Sequence, residues 1–465
     1  MNTISFTNAK VNTQLSDERK YFLLLFVHIL LGCLLYVRPG LGSFYGILIT
    51  ISGFLYVVWN KNQNHEVLQV AAYFIGSEVL LRMSDSFLNY EFVKYAIIVL
   101  AVLGIFYSGF SKRTIPYWVY LLALFPSIFF NNDVYHLSKT ALNGFSFDLS
   151  GPICLGIVAI YCFDKKMSLA TLNTILLSIG LPILSCGIYV FLYSPQISGN
   201  LTSVESNGSF SGGFGPNQVA TTLGLGTLIF FIQLVINANT RIRFVIHLLA
   251  FSLLCYLGLL TFSRGGMITG LAACIVFLVS IYYNSKAYGK TKAKQGMVCF
   301  IATVLVISTL ISYQTNGLIE KRYTNRDHLG RIKRDKATDR KELAKEEIIL
   351  FVENPVLGIG AGKGTQIRQV EFGSKVQSHD ELTRLLAEHG VMGLIDILIL
   401  IIVPLLLFFK SRQNVFLATF FAFWFLTINH SGMRTAAPAF IYALMLLKIA
   451  IDDEPFFTKQ TLKDI

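Results

Sequence analysis

Three residues in this sequence combine a side-chain type and a setting suited to moving a proton or holding an anion: His379, Arg264 and Arg340. His379 stands in Ser378-His379-Asp380-Glu381. Ser378-x-x-Glu381 has the spacing of a helix capping box, in which two side chains satisfy free backbone N–H groups. Leu382, Leu385, Leu386 and His389 then give the helix an apolar side. The pattern predicts His379 in a first helical turn, where the helix dipole favours a neutral imidazole. A neutral imidazole is what a general base requires. The bland reading is a surface-loop histidine.

Arg264 lies in Thr261-Phe262-Ser263-Arg264-Gly265-Gly266, a near-loopless joint between two apolar blocks. An ionisable group at a membrane boundary is costly and points to function, or else it snorkels to headgroups. The two glycines are expected to let the chain turn at once. Arg340 opens a predicted helix over 339–352. Helical spacing puts it on one face with Ala344, Glu347 or Ile348, and Phe351. A guanidinium on such a face can grip an anion with two parallel hydrogen bonds. The rest of the basic cluster from Lys321 to Lys345, Lys333 and Arg334 included, reads as a solvated charged face.

Glycines at 358, 360, 362 and 364 surround Lys363. This is not a phosphate loop of the nucleotidase kind, because Leu357 and Gly364 replace the glycine and hydroxyl residue that motif needs. It reads as a sharp turn after a helix stopped at Asn354-Pro355. The amides of Gly358 and Gly360, with Lys363, remain candidates for cradling a phosphate. Asn217 begins an apolar block and either lines a site or caps a helix. His430 and Arg434 share a short polar turn, and Glu78 and Asp396 inside apolar blocks are candidates for interhelical pairing. No outward Asp-x-Asp pair suggests a divalent metal.

The elements that must position these residues are apolar helices. Only 14% of residues are charged and mean hydropathy is +0.58, where a soluble protein carries about a quarter charged residues. The apolar residues fall into blocks whose common length, roughly 17–25 residues, crosses a bilayer as helix. Fourteen such blocks are predicted: 21–37, 41–59, 67–81, 92–110, 115–131, 151–163, 169–193, 216–236, 244–262, 265–283, 297–314, 390–409, 416–428 and 435–451. The expected fold is an all-α polytopic membrane protein of about 12–14 spans, with one large outer loop bearing short helices. The seven cysteines sit in apolar stretches and form no C-x-x-C pair. They suggest neither a disulfide framework nor a zinc site. The first apolar block reads as a retained span, not a cleaved leader.

The net charge of +12 is a topology signal, not a nucleic-acid one. Eighteen Lys and Arg fall in the tails and short loops of one side. The other side's short loops carry only Arg38, Arg82, Lys139, Arg264 and Arg434. The positive-inside rule makes the first side, with both termini, cytoplasmic. The expected division is a tail at 1–20, a helix bundle at 21–314, a periplasmic catalytic loop at 315–389, further spans at 390–451 and a tail at 452–465. A second polar loop, 194–215, faces outward too.

In order along the chain, several pieces resemble the O-antigen ligase and polymerase family of bacterial surface-polysaccharide enzymes. They are Phe214-Gly215-Pro216-Asn217, Ser263-Arg264-Gly265-Gly266, Asp339-Arg340, Asn354-Pro355-Val356-Leu357-Gly358-Ile359-Gly360, and His379-Asp380 followed by Gly390 and Gly393. The resemblance spans roughly residues 200–430. Ligases of this family usually have Asn, Ser or Gln where this chain has Asp380. The resemblance implies a multi-pass protein of the bacterial inner membrane. It implies inverting, metal-independent transfer of a glycan from undecaprenyl diphosphate, without a cofactor. The acceptor is lipid A core for a ligase, or another lipid-linked repeat for a polymerase, in lipopolysaccharide or exopolysaccharide synthesis. Arg264 and Arg340 would hold the diphosphate, His379 would deprotonate the acceptor, and apolar helices would hold the prenyl chain.

A lipid-linked glycan flippase is the alternative from another class. Such transporters show midplane charges and broken helices, whereas this chain has few midplane charges and one long outer loop. The charge asymmetry makes the topology testable. A reporter fused after Lys294 should read cytoplasmic and one fused after Gly373 periplasmic. The same reading for both would overturn the assignment of the loop.

Overall fold

The computed structural model describes residues 5–86, 88–129, 139–194, 204–206, 208–285, 287–332, 336–372, 377–411 and 414–450. Lys333, Arg334, Gly373, part of the 194–215 loop and the 452–465 tail lie outside them. The chain is an all-α polytopic membrane protein. Its first half comprises α1 (Ser5–Val37), α2 (Leu41–Asn60), α3 (Glu66–Met83), α4 (Phe92–Ser108), α5 (Ile115–Leu124), α6 (Pro126–Phe129), α7 (Lys139–Cys162) and α8 (Leu169–Tyr193). The second half begins with α9 (Pro216–Ile236), α10 (Arg241–Leu260), α11 (Arg264–Asn284) and α12 (Ala287–Gln314). Four short helices follow: α13 (Leu318–Tyr323), α14 (Lys336–Glu353), α15 (Lys363–Phe372) and α16 (Glu381–His389). Three more, α17 (Val391–Lys410), α18 (Val415–Ile428) and α19 (Ala437–Leu444), complete the bundle. Strands β1 (Lys166–Ser168) and β2 (Lys448–Ala450) pair in parallel.

Every predicted apolar block contains helix, but only eight described helices are both long and apolar enough to cross a membrane. Helix α4, residues 146–162 of α7, and α18 are apolar but shorter. Three blocks depart from simple spans, each for a local reason. Helix α3 carries Glu66, Glu78 and Arg82, and Glu78 pairs with Arg82 at 2.6 Å in the protein interior. The block at 115–131 is divided between α5 and α6 at Phe125-Pro126, since proline has no N–H to continue a helix. The block at 435–451 is helical only to Leu444 and ends in β2.

Helix α9 is the axis of the second half. It packs against α8, α10 and α11, and 94% of its apolar window is buried. Small residues allow this. A Cβ on Gly224 of α9 would lie 2.4 Å from the Gly266 carbonyl oxygen, and one on Gly270 would lie 2.4 Å from the Gly224 oxygen. Gly266-x-x-x-Gly270 is thus the small-residue stripe through which membrane helices approach closely. This corrects the expected role of Gly265 and Gly266. Neither has a positive φ. The left-handed residue of that turn is Phe262, at φ 57°, while the glycines admit neighbours.

The ends of α18 and α19 that residues 429–436 join are sunk into the bundle. At about 1.5 Å per residue, the 14 residues of α18 fall short of a full crossing. The loop joining the two helices is buried, and Met433 lies where a Cβ on Gly151, inside α7, would come within 2.5 Å. At the other end, Phe416 near the start of α18 contacts Phe277, seven residues before the end of α11 at Asn284.

The glycine stripe gives a stability test. Gly270→Ala must displace backbone, so it should lower stability by about 1–3 kcal/mol, the usual cost of overpacking. Gly40→Ala, with nothing within 4 Å of the added carbon, should be neutral. Thermal unfolding of both variants in detergent checks the contrast. Equal midpoints would show that α9 and α11 are not held at this distance.

Candidate active site

The loop after α12 folds back so that α14 and α16 pack together. Glu347 of α14 is the tie. Its carboxylate accepts from Ser378 Oγ at 3.2 Å and Thr383 Oγ1 at 2.6 Å, and pairs with Arg368 Nη1 at 3.1 Å. Glu347 is buried, while Ile348, the other residue considered for that face, is exposed. The helix itself runs from Lys336 to Glu353, longer than predicted.

The expected capping box does not form. Asp380 caps α16, its Oδ1 accepting from Leu382 N at 2.9 Å and Thr383 N. Ser378 Oγ instead accepts from Asp380 N, and Glu381 pairs with Arg384. Asp outcompetes Ser here because its position lets it reach two amides. Asn, Ser and Asp are all strong caps, so Asp380 fits the structural role. His379 consequently precedes the cap and is not in the first turn.

His379 lines a cavity of about 210 Å³ with Arg340, Ala344, Glu347, Ser378 and Asn429. Its Nδ1 is buried without a hydrogen-bond partner. Burial, then the charges of Arg434, Arg340, His430 and Arg368, lower its pKa to about 3. The imidazole is neutral as expected, but through desolvation and neighbouring cations more than through the dipole of α16.

Arg340 keeps solvent on one side. Desolvation on the other, then the charge of Arg264, lowers its pKa. Its charge is also felt by His379, His430 and Arg434, so Arg264, Arg340, Arg434 and the two histidines form one neighbourhood of positive and neutral groups. Arg434 donates through Nη2 to the Ser378 carbonyl at 3.1 Å, and its Nε is buried without a partner. The Arg434 carbonyl accepts from Arg82, which also bonds Gln218 and Glu78. Arg264 Nη1 donates to the Arg322 carbonyl at 3.3 Å, and Arg322 Nε donates to the Phe262 carbonyl at 2.8 Å. Among the described residues, no carboxylate lies within ion-pair distance of Arg264, Arg340 or Arg434.

Asn217 is neither a cap nor free. Gly215 holds the cap position, and Asn217 Oδ1 accepts from Ser263 Oγ at 2.7 Å, fixing the residue before Arg264. His430 sits beside it, its Nε2 3.3 Å from Thr221 Oγ1 and its ring against Gly265.

The glycine-rich segment is the sharp turn expected after α14, but it is not the phosphate cradle for which Gly358, Gly360 and Lys363 were candidates. Gly358 N donates to the Asn354 carbonyl, Ile359 N to Ala387 and Gly360 N to Glu388. These amides satisfy carbonyls at the ends of α14 and α16, so Gly358 and Gly360 have none left for a phosphate. A Cβ on Gly358 would lie 2.4 Å from the backbone of Glu388, which is why glycine is required. Lys363 begins α15 and is not among the residues lining the His379 cavity. Asp396 is buried with both oxygens unpartnered, so the expected interhelical pair does not form.

Sequence reasoning passed over Arg82, Arg322 and Glu347's tie to Ser378. Glu78-x-x-x-Arg82 is an i,i+4 pair in an apolar block and was a visible signal. Arg322 carried none that set it apart from its basic neighbours.

Two comparisons find nothing: no curated protein and no solved structure matches the chain. A family model described as O-antigen ligase matches residues 249–398, which include Arg264, Arg340 and His379.

The depressed pKa predicts a specific titration. Because neutral imidazole persists above its pKa, ring ¹⁵N shifts of His379 should stay neutral from pH 8 to about 4. A midpoint near 6.5 would mean an aqueous, uncrowded ring.

The match over 249–398, on top of the ordered motifs, supports the resemblance of this chain to the O-antigen ligase/polymerase family.

Proposed function

We propose that the chain transfers a glycan from undecaprenyl diphosphate to an acceptor hydroxyl by an inverting, metal-independent displacement. The coarser statement, a role of ligase or polymerase type in polysaccharide assembly, follows from the family. The observation that carries the finer one is a neutral histidine with an unpartnered Nδ1 sharing a cavity with Arg340, and feeling the charge of Arg434, where neither arginine has a carboxylate within ion-pair distance among the described residues. Arg264, Arg340 and Arg434 grip the diphosphate, and Asn217 positions Arg264 through Ser263. His379 takes the proton of the acceptor hydroxyl as the acceptor oxygen bonds to the anomeric carbon. The bond from that carbon to the diphosphate oxygen breaks, and the diphosphate leaves as an anion.

The leaving group is stable as an anion, so its charge needs clamping more than protonation. Guanidinium groups in a desolvated setting supply that clamp before the reaction begins. The acceptor is lipid A core or another lipid-linked repeat, and the reaction lies at the periplasmic face of the inner membrane. The flippase alternative gains no support from charges gathered at helix ends, away from the midplane.

The test uses purified enzyme and a lipid-linked donor. His379→Ala should lose about 10²–10⁴ in turnover, the usual worth of a positioned base, while donor binding survives. His379→Gln should fail similarly, because an amide cannot accept the proton. Arg264→Lys should rescue Arg264→Ala poorly, since an ammonium cannot reproduce bidentate contact. Near-normal turnover in His379→Gln would remove proton transfer from the role of this residue.

A further inference from the structure

The end of the bundle opposite the candidate site holds a larger cavity, about 880 Å³. Drug-sized ligands occupy roughly 300–1,000 Å³. The cavity lies between the last turns of α17, the residues around Arg113 and Asp164, Leu417 near the start of α18, and the stretch from Met445 to Ile449. Helix α17 barely touches α18, so the recess is open along α17.

Its walls and rim differ in chemistry. Leu406, Leu417 and Met445 contribute apolar surface, and Arg113, Lys410 and Lys448 contribute charge. Asp164 is the lone carboxylate in the lining. It pairs with Lys448 Nζ at 2.7 Å and lies 3.6 Å from Arg113. Lys410 has no carboxylate partner among the described residues. Three cations against one carboxylate leave the rim with two uncompensated positive charges.

We propose that this recess binds an anionic glycerophospholipid, its phosphate at Lys410 and Arg113 and an acyl chain along α17 between Leu406 and Leu417. Net positive charge selects an anion. The apolar wall selects a ligand that also carries a hydrocarbon chain. Leu406 and Phe409 are 62% and 58% exposed, so that chain can pass from the recess to the lipid outside. Basic pockets between membrane helices bind anionic headgroups on the same physical grounds. A free phosphate would leave the wall uncovered, and a zwitterionic lipid would leave the rim uncompensated.

The test is photo-crosslinking of the full chain in nanodiscs with phosphatidylglycerol or phosphatidylethanolamine bearing a photoreactive acyl chain, mapped by peptide mass spectrometry. Phosphatidylglycerol should label Leu406, Leu417 or Met445 at least tenfold more than phosphatidylethanolamine. Arg113→Glu with Lys410→Glu should remove that preference, and Lys290→Glu, on α12, should keep it. Equal labelling by both lipids, or labelling spread over α1 and α2, would overturn the proposal. So would displacement by millimolar inorganic phosphate, which indicates a free-anion site. Labelling that appears only after removal of residues 451–465 would also overturn it, making the chain's own Asp452-Asp453-Glu454 stretch the native occupant. Wild-type lipid selectivity decides the matter even if the double variant fails to fold.

Discussion

The site depends on a separation of charges. Four buried carboxylates near it are matched to arginines: Glu347 to Arg368, Glu381 and Glu388 to Arg384, and Glu78 to Arg82. Asp148 lines a recess with Arg434, but among the described residues no carboxylate lies within ion-pair distance of Arg264, Arg340 or Arg434. Charges buried without compensation are strongly unfavourable, and like charges in a partly desolvated cavity repel more than in water. Backbone carbonyls hold two of them, Arg264 on Arg322 and Arg434 on Ser378. A carbonyl offers a dipole and not a full charge, so the cluster remains poised for an anion. Had Glu347 turned toward Arg340 instead of Ser378, Thr383 and Arg368, the anion site would be self-neutralised.

That arrangement needs two pieces of chain far apart in sequence to be fixed to a fraction of their natural freedom. The joint before α11 is held by Asn217 to Ser263 and by the glycine contact of α9 with α11. Its backbone is strained at Phe262, where a bulky residue takes a left-handed conformation. Such residues cost about 1–3 kcal/mol and persist where surrounding structure over-determines them. Here the Phe262 side chain is fully buried and its carbonyl accepts from Arg322. The loop before α17 is fixed by Glu347 on one side and by the glycine turn on the other. In that turn Gly358 and Gly390 bring two backbones together, and Val391 N donates to the Pro355 carbonyl at 2.7 Å.

Composition and apolar block length made the fold class legible, because lipid allows a spanning chain few architectures. Arg264, Arg340 and His379 were legible as residues because polar types in an apolar chain stand out. What was not legible was the partner of each. Ser378 and Asp380 are both good caps, and only the path of the chain decides that Asp380 meets the amides. Glu347 and Ile348 are adjacent on one helix, and only packing against α16 turns Glu347 inward. The glycine run was legible as a turn, but whether its amides were free for an anion was not. Ile359 N and Gly360 N are taken by the carbonyls of Ala387 and Glu388, some thirty residues away, and Gly358 N by that of Asn354. The short reach of α18 likewise shows in its length, but the recess beside it requires knowing that Arg113, Asp164, Lys410 and Lys448, far apart in sequence, meet at one place.

Under the proposed transfer, the cations that would grip a diphosphate also make His379 a poor base before one binds. Burial and then Arg434, Arg340, His430 and Arg368 hold its pKa near 3, and a base is most effective when its pKa lies near the working pH. An anion placed among those arginines offsets the repulsion that disfavours imidazolium, so the pKa of the ring rises as the anion arrives. Linkage runs both ways: whatever strengthens the base also binds more tightly once the ring takes a proton. For a displacement that leaves a more negative diphosphate as it moves a proton to His379, both changes favour the same direction. In the proposed transfer the charge developing on the leaving group would stabilise the imidazolium formed beside it, so the arginine cluster and the histidine would act as one electrostatic unit.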